Sequence, residues 1–85
     1  MKVIKFYQTP CTPCNMLVDT MGRLGVKADE EYNVKEEKGM EMAGEFGVVK
    51  TPVLILLDDT GAEVQRYQGV GQSKVTEIFT KRGLL

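Results

Sequence analysis

Cys11 and Cys14 are the chain's two cysteines, and only Thr12 and Pro13 separate them. A thiolate is the nucleophile of disulfide exchange, whereas an ordinary free thiol is mostly protonated at neutral pH. Two thiols at this spacing close on one another with little backbone movement. One can attack a substrate disulfide, and the other can resolve the mixed disulfide that results. Pro13 suits the first turn of a helix, and the unpaired N–H groups of a helix start favour an anion. Cys11 then sits at the exposed mouth with Cys14 one turn further in, so Cys11 is the expected attacking thiol and Cys14 the resolving one. A structural staple is disfavoured, because so short a loop removes little entropy from the unfolded chain. The competing reading of an isolated Cys-x-x-Cys is half of a metal site. Zinc takes four ligands and the chain has no His, so a dimer or an external ligand pair would have to complete it. No metal or cofactor beyond a Cys11–Cys14 redox disulfide is expected.

These roles require a strand that delivers Cys11 to the start of a helix. Lys2 to Tyr7 is a β-rich run that stops at Gln8-Thr9-Pro10. After Pro13, residues Cys14, Leu17, Val18 and Met21 fall at helical spacing and predict an apolar stripe, ended by Gly22 and Gly25. A weak second strand is expected near Lys27 to Val34. A second helix is expected from Lys35 to Phe46, with Met42, Ala43 and Phe46 on one side and Gly47 as its stop, although Gly39 and Gly44 weaken it. Val53 to Leu57 is a continuous apolar run, as for a strand buried on both faces. Asp58-Asp59-Thr60-Gly61 reads as a turn into a half-exposed strand, Glu63 to Gln68. After Gly69-Val70-Gly71, a last helix is expected from Ser73 as N-cap, with Val75, Ile78 and Phe79 facing inward. The order βαβαββα, with a right-handed first crossover, gives an α/β fold: a four-stranded mixed sheet flanked by three helices.

The 85 residues suit a single domain, 1–85, with a formal net charge of -1. With no basic surplus and no Trp, composition gives nucleic-acid binding no support. No stretch is long and apolar enough for a bilayer, and the N-terminal run is broken by Lys5, so a cytoplasmic monomer without membrane contact is expected.

Phe6-Tyr7 leading into Cys11-Thr12-Pro13-Cys14, followed by Phe46-Gly47-Val48-Val49-Lys50-Thr51-Pro52-Val53, resembles the thioredoxin and glutaredoxin superfamily over nearly the whole chain. The resemblance implies a thioredoxin-like fold, with a cis bond at Thr51-Pro52 facing the cysteines and a backbone at Thr51 free to pair with an extended substrate. The competing reading of Pro52 is an ordinary trans proline opening an edge strand. By the same resemblance, Pro10, Thr12, Pro13, Lys50, Thr51, Pro52 and Gly69 are the expected substrate contacts. Protein disulfides are the expected substrates, with ribonucleotide reductase a client that the resemblance suggests.

The short length is similar to glutaredoxins, whereas Pro13 before the second Cys is similar to thioredoxins. Gln8 and Gln72-Ser73 are uncharged where glutaredoxins tend to be basic and acidic respectively. Glutathione carries two carboxylates and an ammonium, so these residues point to a thioredoxin-reductase-type electron donor. The alternatives are a glutathione-dependent glutaredoxin, or a dimer holding an iron–sulfur cluster through Cys11 and glutathione. Pro10 stands where thioredoxins usually have Trp, and Lys5 where they have a buried Asp paired with a Lys on the neighbouring strand. Aligning Asn33-Val34 with the end of that strand puts Glu31 at the Lys position. The pair is then present with its signs exchanged and tunes the thiols, or else both charges are simply solvated.

Overall fold

In a computed structural model describing residues 1–85, the chain begins with β1 (Lys2–Tyr7), which runs through the centre of the molecule. Next come α1 (Thr12–Leu24), β2 (Glu30–Asn33), α2 (Glu37–Phe46), β3 (Val53–Leu57), β4 (Glu63–Gln68) and α3 (Gln72–Arg82). The sheet order is β2-β1-β3-β4. β1 and β2 are parallel across the α1 crossover, β1 and β3 antiparallel, and β3 and β4 form a hairpin. Three helices and a four-stranded mixed sheet give the expected α/β thioredoxin-like fold.

Alternation along the two central strands divides the core by face. Val3, Leu54 and Leu56 pack with Leu17 and Met21 of α1 and Val75, Ile78 and Phe79 of α3. Ile4, Phe6, Val53, Ile55 and Leu57 point the other way, onto α2 through Ala43, Met42 and Phe46. Every residue of β3 is buried, as its unbroken apolar run requires.

Several boundaries differ from the sequence reading. Val18 is 51% exposed, and Thr20 takes the inward place beside Leu17 and Met21. Gly22 lies inside α1, which ends only at Gly25 in the left-handed conformation. β2 is shorter than 27–34, because Lys27 to Asp29 are still crossing from α1 to the sheet. α2 begins at Glu37, two residues after Lys35, since Asn33 first turns the chain by accepting the Lys35 N–H. Ser73 is not a cap: α3 starts at Gln72 with Gly71 as N-cap and no side chain bonding there.

The register sets up the site. Phe6 lies opposite Val53, and Val53 opposite Gln68. The end of β1, the Thr51–Pro52 turn and the end of β4 therefore meet at one edge of the molecule, where β1 feeds α1.

Candidate active site

Cys11 is the N-cap of α1. Its backbone is extended while its carbonyl already accepts from Asn15 N–H at 3.1 Å. An N-cap side chain normally offers an oxygen to the free N–H groups of the first turn. Here the sulfur takes that place, and Cys14 N–H donates to Cys11 Sγ at 3.2 Å. The helix start thus directs a donor at the sulfur that would carry the negative charge of a thiolate. Thr12 and Pro13 open the helix, where the missing N–H of Pro13 removes no intrahelical bond.

Cys11 and Cys14 are joined in a disulfide, with Cα atoms 5.2 Å apart. Their exposures correct one expectation: Cys11 is 9% exposed against 4% for Cys14, so neither sulfur stands out at an open mouth. Thr12 and Pro13 are exposed beside the pair, as is Pro10 before it. The asymmetry lies in the hydrogen bonds: Cys11 Sγ is the sulfur that receives the helix N–H.

On the far side of the sulfur stands the loop before β3. Thr51 Oγ1 is 3.9 Å from Cys11 Sγ, and the hydroxyl is the group able to donate while both sulfurs are bonded. The peptide bonds Thr51–Pro52 and Thr9–Pro10 are both cis. Pro52 is buried beneath the turn, Thr51 is half-buried with its hydroxyl toward Cys11, and Lys50 is exposed. Next to them a groove of about 280 Å³ is lined by Gln8, Val34, Val48, Val49, Lys50, Thr51 and Gln68. Val49 is 91% exposed on its rim. Gly69 follows directly on Gln68, with φ +155°, a backbone conformation that favours glycine.

The structure therefore gathers Cys11, Cys14, Lys50, Thr51 and Pro52 around one edge, with Gly69 at its border. Gln68 and Val49 also line the groove, although the sequence assigns them no role in the site. The available signals were the end of an alternating strand and an apolar pair before Lys50-Thr51-Pro52. Gln72 and Ser73 lie in the first turn of α3 and are absent from the groove.

Lys5 and Glu31 form a separate feature. They are register partners across β1 and β2, and Lys5 Nζ lies 2.5 Å from Glu31 Oε1. The Lys5 side chain is 10% exposed and that of Glu31 53%, so a nearly buried cation is matched by an anion at the water boundary. The Lys5 ammonium also sits 5.5 Å from the centre of the Tyr7 ring. Lys5 belongs to the face of β1 that α1 covers, in a groove of about 340 Å³ shared with Val18, Met21 and Val26.

The arrangement places a redox-active disulfide at a strand end and a helix start, opposite a cis proline. An SPbeta prophage-derived thioredoxin-like protein of Bacillus subtilis (strain 168), YosR, is 36% identical over 79 residues, covering 93% of this chain and 95% of that protein. The thioredoxin of Fasciola hepatica is 25% identical with a TM-score of 0.77, over 93% of this chain and 77% of its own. That of Malassezia sympodialis is also 25% identical, with a TM-score of 0.75 over 93% of this chain and 71% of its own. No family model matches the chain.

Proposed function

We propose that this chain, which belongs to the thioredoxin-like superfamily and is a thiol–disulfide oxidoreductase, reduces disulfides of client proteins and is recharged by a reductase of thioredoxin-reductase type. The observation that carries the reading is the Cys11 sulfur acting as N-cap of α1, with Cys14 N–H at 3.2 Å. In the dithiol form that donor favours the Cys11 thiolate. Cys11 Sγ attacks one sulfur of the client disulfide; the S–S bond breaks and its electron pair leaves on the second client sulfur, which takes up a proton. Cys14, once deprotonated, attacks Cys11 Sγ, releasing the first client sulfur as a thiol and forming the Cys11–Cys14 bond. The client gains two electrons and two protons, and the electron donor later returns them to the pair.

The groove beside Thr51 supports an extended client segment better than glutathione. Its polar lining is Gln8, Gln68 and Thr51, and Lys50 is its one charged residue. Glutathione has two carboxylates and an ammonium to satisfy, whereas carboxamides and hydroxyls suit the backbone of a peptide strand. Pro10, Thr12 and Pro13 would contact the client on the helix side, and Lys50, Thr51, Pro52 and Gly69 on the loop side. The cytoplasm is the matching compartment, because the reducing system is there. Ribonucleotide reductase is a client to assay first.

The test is a comparison of electron donors. NADPH with thioredoxin reductase is expected to sustain turnover on a protein disulfide, at a potential near about -270 mV rather than about -200 to -230 mV. Turnover with reduced glutathione and none with the reductase would overturn the donor assignment. A visible absorption band after anaerobic purification would favour the cluster-binding alternative.

A further inference from the structure

We propose that Tyr67 and Thr20 are positioning residues that hold the Gly69–Val70–Gly71 loop against the dithiol helix, setting the border of the groove where a client docks. The inference rests on the reading above as a protein-disulfide reductase. β4 ends at Gln68, which lines the groove with Thr51, so the loop begins where the groove ends.

The loop is built around one phenol. Tyr67 pairs with Leu54, and its ring packs on the core shared by α1 and α3. Its hydroxyl accepts the Gly71 N–H at 2.9 Å. A Cβ on either Gly69 or Gly71 would lie 2.7 Å from that oxygen, closer than a carbon is tolerated. Both glycines are therefore needed for the backbone to wrap the hydroxyl.

A second tether comes from α1. Thr20 is only 4% exposed, among apolar neighbours, and its hydroxyl lies 3.1 Å from both the Met16 and the Val70 carbonyl oxygens. A threonine in a helix commonly bonds the carbonyl one turn back. Here the proton is shared across to the loop, while Arg23 donates to the same oxygen at 3.3 Å. The helix that starts at Cys11 is thus tied to the loop that follows Gln68. Holding the two in fixed relation spares the ordering of the loop on docking, which lowers the KM for a client and leaves the sulfur chemistry unchanged.

Two disulfides separate docking from chemistry: insulin, recharged with dithiothreitol, and the small aromatic disulfide 5,5′-dithiobis(2-nitrobenzoate). Tyr67→Phe and Thr20→Val are each expected to raise the KM for insulin about fivefold, the worth of one hydrogen bond. Thr20→Ser restores it, and the rate with the small disulfide does not change. Gly71→Ala raises the KM in the natural background but much less in Tyr67→Phe, where the added methyl meets only Tyr67 Cζ, at 3.8 Å. Should Thr20→Val fail to fold, the Gly71 and Tyr67 cycle decides. An unchanged KM for insulin, an additive cycle, or an equal slowing of both disulfides would overturn the inference. A natural chain that reduces the small disulfide but not insulin would refute the protein-disulfide reading itself, and the inference with it.

Discussion

At the scale of single residues, two groups stand out by what surrounds them, the Cys11 sulfur and the Lys5 ammonium. The place of Cys11 at a helix start was legible from Pro13, but its burial was not. Exposure depends on the loop before β3, which approaches only through the β1–β3 register. The juxtaposition of Lys5 and Glu31 was legible once the end of β2 was aligned, because parallel register places them opposite one another. Their unequal exposure was not legible, and it changes the energetics. With Glu31 half in water, losing it leaves Lys5 within reach of solvent, so Glu31→Leu is expected to destabilise by about 1 kcal/mol rather than the several of a fully buried pair. We propose that this pair also tunes the thiols, the cation on the α1 side of β1 favouring a thiolate. Lys5→Met is then expected to raise a thiol pKa and slow exchange. A double-mutant cycle of Lys5→Met and Glu31→Leu, read by denaturant melts and thiol titration, checks this. Strict additivity with unmoved thiols would reduce the pair to surface electrostatics.

At the scale of elements, α2 shows how one composition hides two meanings. Gly39 and Gly44 both weaken a helix on propensity. In the structure they have opposite consequences. A Cβ on Gly39 would fall 1.8 Å from the Asn33 carbonyl oxygen, so the helix reaches its seat on β2 only because that side chain is missing. A Cβ on Gly44 would meet nothing within 4 Å. Gly39→Ala is expected to destabilise by about 2 kcal/mol or more through overpacking, and Gly44→Ala to stabilise by about 0.5–1 kcal/mol. Urea melts of the two variants check both signs. The strong elements were legible from their apolar runs and stripes: β3 is unbroken, β1 is interrupted only by Lys5, and Val75, Ile78 and Phe79 of α3 and Leu17 and Met21 of α1 keep helical spacing. β2 and the start of α2 were blurred, since a four-residue edge strand, Glu30-Glu31-Tyr32-Asn33, carries almost no apolar pattern. Periodicity favours Val18 over Thr20 because it weighs hydrophobicity and cannot see the Val70 carbonyl that the Thr20 hydroxyl meets.

Across the whole molecule, the end opposite the groove closes on Asp29. It accepts Arg82 Nε and Nη2, both at 2.8 Å, and the Val3 N–H at 2.7 Å, joining the last helix to the start of the central strand. The Arg82 hydrogen bond chiefly, with that of Val3, outweighs burial and lowers the Asp29 pKa from 3.8 to about 2. A carboxyl with a depressed folded pKa stabilises above its unfolded value and loses that contribution as pH falls through the folded one. The melting temperature is therefore expected to drop between about pH 4 and pH 2, and Arg82→Ala is expected to flatten that part of the curve; parallel curves for the two chains would contradict it. The clasp leaves the other end of the sheet free to carry the disulfide, where three strand ends and one helix start converge. The central claim is that Cys11 is the sulfur that attacks. Its most direct measurement is the intact mass of the Cys14→Ser protein after exposure to a disulfide-bonded client, followed by peptide mapping. A stable mixed disulfide at Cys11 is predicted, with none from Cys11→Ser. A covalent complex trapped through Cys14 in the Cys11→Ser protein, and none in Cys14→Ser, would contradict the account.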